Sequence, residues 1–108
     1  MLFRSLQALA KHYAALPAKG SGEPIDQALV QRGSELAAMR RCVSCHQPSF
    51  AGADQIPRIA KQRVDFLIQV LKEFRDKPRG GADTIMSGAV AGLPDGDLAA
   101  LAHYAASR

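Results

Sequence analysis

The chain has 108 residues, 47% of them hydrophobic and 22% charged, with no Trp and a formal charge of +4. That is the size of one ordinary domain with a small core. The charge suits steering toward an acidic partner; with no dense basic run it does not point to nucleic acid, and no apolar stretch approaches the ~18 residues of a membrane span.

Leu2, Leu6, Leu9, Tyr13 and Leu16 recur at spacings of 4, 3, 4 and 3. This predicts a helix over residues 1–18 with an a/d-type seam, which packs either on its own domain or on a partner surface. Pro17 ends it, and Lys19-Gly20-Ser21-Gly22-Glu23-Pro24 reads as linker, placed over 19–26. Arg4 and Lys11 interrupt the 7–15-residue apolar run that a signal peptide needs. A domain over 27–108 follows, opening on a helix from about Ile25 to Arg40. Gly33 inside that helix costs about 1 kcal/mol relative to Ala, which a close helix crossing would justify.

The helix delivers the chain to Cys42-Val43-Ser44-Cys45-His46. A Cys-x-x-Cys-His run reads as a site of covalent c-type haem attachment. The two thiols are spaced to form thioethers with the two haem vinyl groups, and the histidine is placed to bind the iron from the proximal side. Three rival readings are weaker. A redox dithiol is expected near a βαβ pattern, which is absent here. A structural zinc needs four N or S ligands, and beyond the motif the chain offers only His12 and His103. A simple disulfide leaves His46 without a role.

Residues 47–59 read as loop. A third helix is predicted over about Lys61 to Asp76, with Val64, Leu67, Leu71 and Phe74 as its apolar stripe, widened by Ile68 and Val70. Pro78-Arg79-Gly80-Gly81 stops it, and a glycine-rich loop carries Met86. Asp95 or Asp97 starts a final helix with acidic residues at its N-terminus and an apolar face of Leu98, Leu101, Ala102 and Ala105. No strand pattern rises above noise, so the domain is expected to be all-α. Ser5–Ala15 also echoes Asp97–Ala106 with Lys11 as one extra residue. Either two Ala/Leu-rich helices resemble one another by chance, or residues 1–18 are the last helix of a missing preceding domain.

Haem iron bound by His and Met is a pattern of electron-transfer cytochromes. Met1 is terminal, and Met39 stands three residues before Cys42, too near the proximal side. Met86 lies 40 residues past His46 with a helix between them. It is the favoured distal ligand, against a core methionine filling space. His12 and His103 compete, each inside a predicted helix.

With these residues in place the chain resembles a class I cytochrome c, and more closely a domain of the diheme cytochrome c4 group. The likeness covers about residues 27–108. It rests on Arg32-Gly33 ahead of the haem motif, on Ile56-Pro57-Arg58-Ile59-Ala60-Lys61-Gln62, on Phe74-Arg75-Asp76, on Met86, and on Leu93 followed by Asp97–Tyr104. The resemblance implies a helical domain around one haem c, attached through Cys42 and Cys45 and ligated by His46 and Met86. It implies that Pro57 offers its carbonyl to the His46 ring, that Gly33 meets Tyr104 where two helices cross, and that Arg58 or Arg79 neutralises a propionate, against a merely solvated arginine. The family commonly has Gly where Lys61 stands, and Ser or Thr where Pro94 stands, which leaves Asp95 to cap the last helix.

The implied role is an electron carrier rather than an enzyme, serving an oxidase, a quinol-oxidising complex or a dehydrogenase through weak docking. A haem edge rimmed by small residues such as Ala51, Gly52 and Ala53 would admit the partner. Two other classes stand beside it: a peroxide- or gas-reactive haem with a labile distal ligand, for which Asp83 is the only titratable group near Met86, and a redox module that dimerises or joins a second haem domain through the N-terminal helix. Haem is attached to such motifs outside the cytoplasm, so a periplasmic location is expected, with a targeting signal in the precursor.

Overall fold

A computed structural model describes residues 2–77 and 84–108. Among them are six helices and no strand: α1 (Leu2–Ala15), α2 (Gln27–Met39), α3 (Cys42–His46), α4 (Val64–Asp76), α5 (Thr84–Ala89) and α6 (Asp95–Ala106). None is long and apolar enough to cross a membrane.

The domain is built on the crossing of α2 and α6. Asp26 starts α2 by accepting hydrogen bonds at Oδ1 from the N–H groups of Ala28 (2.9 Å) and Leu29 (3.3 Å). Gly33 then faces α6 so closely that a Cβ there would meet the Ala100 carbonyl and lie 2.6 Å from Tyr104 Cβ. The helices approach because Gly33 has no side chain and α6 presents alanines: Ala100, Ala102 and Ala105 are buried with Leu98 and Leu101. Ala100 lies outside the predicted apolar face and is buried because Gly33 presses on it. Leu36 and Ala37 of α2, Val64 and Leu67 of α4, and Phe50, Ala60, Val90 and Leu93 from the connections complete the core.

Three expectations need correction. α4 begins at Val64, not Lys61. Lys61 stands in the left-handed region (φ 63°), the conformation for which glycine is the common choice at this place. Met86 lies on the short helix α5, not in an open loop. Asp95 does not cap α6: Pro94 holds the N-cap position with no side-chain bond, and the Asp95 carboxylate pairs instead with Arg75 (2.7 Å) and Lys72 (3.7 Å). The helix stop expected at Pro78–Gly81 lies outside the described residues.

The segment ahead of α2 is docked from Glu23 onward. Its carboxylate accepts a 2.6 Å hydrogen bond from the Val64 N–H, capping α4. The Asp26 N–H donates to His103 Nδ1 at 3.1 Å. α1 is different: Phe3, Leu6, Leu9, Tyr13 and Leu16 are all more than half exposed, so its apolar seam has no cover in this structure.

Candidate haem site

The site grows from the end of α2. Arg40 closes that helix, and Arg41 takes a left-handed turn (φ 60°, ψ 30°) that starts α3 in a new direction. The cysteine–histidine motif thus forms a single helical turn. Cys42 is half-buried and Cys45 exposed, and neither is in a disulfide. Burial pushes the Cys42 thiol up, partly offset by a backbone hydrogen bond and by the Arg40 charge.

His46 is the one buried polar residue among the described residues, 7% exposed. The loop after it is folded to meet its ring. Gly52 N–H bonds back to the His46 carbonyl at 3.0 Å. Ala53 and Ile56 exchange backbone hydrogen bonds of 3.0 and 2.9 Å, and Gly52 has φ 71° with the Arg58 and Pro57 backbone where a Cβ would be. The Phe50 carbonyl accepts from both Ile59 and Ala60 at 3.0 Å. That loop carries the Pro57 carbonyl to 2.9 Å from His46 Nδ1. A carbonyl can only accept, so Nδ1 carries the proton and Nε2 keeps its lone pair for a metal.

The donor set fits a haem c. It offers two free thiols one helical turn apart, one imidazole with its tautomer fixed, and apolar side chains that stay only partly buried against the core, among them Val43, Ile59, Ile68, Leu71 and Met86. Among the described residues no three His, Cys, Asp or Glu side chains gather as a metal-ion site.

Residues 30–107 match the cytochrome c family. This chain belongs to the cytochrome c family. Two solved cytochromes c4 share the fold. Reduced recombinant cytochrome c4 from Pseudomonas stutzeri is 30% identical, with a TM-score of 0.70 over 82% of this chain and 53% of its own. Cytochrome c4 from Acidithiobacillus ferrooxidans, whose structure is described as supporting a complex-induced tuning of electron transfer, is 25% identical, with a TM-score of 0.79 over 97% of this chain and 64% of its own. The chain therefore spans between half and two thirds of these relatives. No curated protein matches it. The cytochrome carries one haem c, held covalently through Cys42 and Cys45, in a class I cytochrome c fold.

The other anticipated residues divide. Pro57 lies against His46 as the resemblance implied. Met86 is half-buried on α5 and packs on the core. Arg58 is exposed and makes no ion pair among the described residues, and Arg79 lies outside them. The rival ligands are occupied or distant from burial: His103 accepts from Asp26, His12 stacks edge-on against Tyr13 on exposed α1, and Met39 is 70% exposed.

Three residues carry more of the site than their sequence context announced. Phe50 is 1% exposed and stands edge-on between His46 (6.5 Å) and Tyr104 (5.3 Å). Arg75 donates to the Leu93 carbonyl at 2.8 Å and is held by Asp76 and Asp95, both at 2.7 Å. Arg40 reaches the end of α5. Arg75 falls within a stretch shared with the cytochrome c4 group; nothing in the sequence marks the other two.

Proposed function

We propose that this cytochrome is a periplasmic one-electron carrier whose iron is bound by His46 Nε2 and Met86 Sδ. The observation that carries the reading is the 2.9 Å contact between His46 Nδ1 and the Pro57 carbonyl. It fixes ring orientation and raises ligand basicity, as such partners do for metal-bound imidazoles. Met86 is supported by its partial burial on a segment packed against the core and by the engagement of the competing histidines elsewhere.

The bound haem supplies an iron that moves between two oxidation states. The protein's part is ligation, burial and electrostatics. Cys42, Cys45 and the oriented His46 imidazole would hold the cofactor, and a thioether ligand from Met86 would raise its potential. The partly buried Ile68 and Leu71 of α4 would add apolar surface to shield it from water. Arg58 or Arg79 is the residue proposed to neutralise a propionate. The positive charge of the chain suits brief docking on an acidic redox protein, an oxidase, quinol-oxidising complex or dehydrogenase.

Residues 1–18 are proposed as the closing helix of a preceding haem domain, with 19–26 as linker and 27–108 as the cytochrome c domain. The exposed seam of α1 supports this, as does the 97% coverage against the Acidithiobacillus protein, which leaves too few residues unmatched for α1 to fall outside it.

The test is the visible spectrum of the reduced holoprotein with and without carbon monoxide. Six-coordinate iron gives a sharp c-type α band that carbon monoxide leaves unchanged, and Met86→Ala opens the iron to the gas and lowers the potential. A parent protein that binds carbon monoxide readily, or a Met86→Ala variant with the parent spectrum, overturns the assignment.

A further inference from the structure

The segment that carries Met86 is poorly equipped to hold itself in place. α5 has six residues and none of them is buried, and a helix that short has no independent stability. Its C-terminal end is gripped from outside. Arg40 Nη1 donates to the Ala89 carbonyl at 3.3 Å and to the Ala91 carbonyl at 3.1 Å. Ala89 is the last residue of α5 and Ala91 lies in the turn that follows; a helix end leaves its last carbonyls without partners, and a cation is the favoured donor there. Arg40 is half-buried and, among the described residues, has no carboxylate partner, so its side-chain hydrogen bonds run to this one segment. It also stands two residues before Cys42. One short stretch of backbone therefore bears both the first haem-attaching thiol and the clamp on α5.

We infer that Arg40 is a positioning residue for Met86: by holding the carbonyl end of α5 it sets where the methionine stands relative to the haem-bearing motif. The inference rests on Met86 being the distal ligand, as proposed above. Arg75 secures the exit of the same segment through Leu93, but it is tied to two carboxylates and to α6, so it serves the helix packing as well. The Arg40 guanidinium bonds to no other segment among the described residues.

The test is an imidazole titration of the ferric holoprotein, with the midpoint potential and the methionine-to-iron charge-transfer band read on the same samples. The proteins are the parent, Arg40→Gln, Arg40→Lys, Met86→Ala and the Arg40→Gln/Met86→Ala double variant. Arg40→Gln is expected to bind imidazole about tenfold more tightly than the parent, the effect of weakening charge-assisted hydrogen bonds, with a lower potential and a weaker band. Arg40→Lys, which keeps the charge, should fall between. In the Met86→Ala background Arg40→Gln should change nothing, because the residue it positions is gone. If Arg40→Gln fails to hold haem, Arg40→Lys carries the comparison with the same signs. Equal imidazole affinity in the parent and both Arg40 variants, with Met86→Ala much tighter, overturns the inference while leaving the ligand assignment intact. An Arg40→Gln effect that persists without Met86 overturns it too. Met86→Ala with parent affinity overturns the ligand assignment itself, and the inference with it.

Discussion

Gly33 and Tyr104 meet at the point where α2 crosses α6, and the first gives up its side chain so that the second can lie against its backbone. A Cβ at Gly33 would be 2.6 Å from Tyr104 Cβ and would press on the Ala100 carbonyl. The obstacle is backbone and a Cβ, neither of which can swing aside. Gly33→Ala is thus expected to destabilise the holoprotein by about 2 kcal/mol, overpacking outweighing the roughly 1 kcal/mol that Ala gains in a helix. A thermal melt read by circular dichroism should show a clear fall in Tm; an unchanged Tm would mean that the crossing is looser than this geometry.

Two positions run the other way. Lys61 sits at φ 63°, and Gln47, immediately after His46, at φ 75° and ψ 156°, a region open essentially to glycine alone. Lys61→Gly and Gln47→Gly should each stabilise by about 0.5–1 kcal/mol, the relief of strain being partly offset by the greater freedom of glycine in the unfolded chain. Urea unfolding of the holoprotein measures both, and a loss of stability at either site contradicts the prediction.

Acid should attack the junction of α4 and α6. Hydrogen bonds from Arg75 hold the Asp76 and Asp95 carboxyls below the ordinary value of 3.8. Groups whose folded pKa is depressed stabilise the protein above their unfolded pKa, and that stabilisation is lost as pH falls through the folded one. The loss therefore belongs to the window below about pH 3.8, not near neutrality. Both carboxylates are exposed and screened, so the effect is modest. In melts taken from pH 6 down to pH 2.5, Asp95→Asn should have a lower Tm than the parent at pH 6 and a shallower decline. A parallel decline places the acid sensitivity elsewhere.

The boundary ahead of the domain can be located by truncation. Removing residues 1–18 takes away a helix whose apolar side chains are already exposed, and the Tm of the remainder should hold. Removing residues 1–26 also deletes the Glu23 cap on Val64, the Asp26 cap on α2 and the bond to His103. Loss of two caps should cost about 2 kcal/mol. Equal melting of the two truncations would make Glu23 a bystander.

Much of the site is legible in the amino-acid sequence because its chemistry is local. The spacing of Cys42, Cys45 and His46 is covalent geometry, and the family resemblance brings Pro57 to the histidine. The α2/α6 crossing is visible in Gly33, a residue that a free helix would not choose. What stays hidden depends on side chains meeting distant backbone. Arg40 and Arg75 bond to carbonyls 49 and 18 residues away, and a carbonyl leaves no trace in a sequence. Glu23 reads as linker because its partner, the Val64 N–H, is 41 residues on. Met86 stands among glycines that suggest an open loop, yet it lies on a helical turn whose last carbonyl, that of Ala89, accepts from Arg40.

The edge-on row of His46, Phe50 and Tyr104 ties the imidazole to the helix crossing, where Gly33 and α6 leave no room for a Cβ. An iron held by that ring would change its charge against a frame that cannot tilt to follow it. Nuclear rearrangement on each electron hop would then stay small, and a low reorganisation energy is what allows fast transfer with little driving force. In this cytochrome a missing side chain at Gly33 is part of what would keep the metal still.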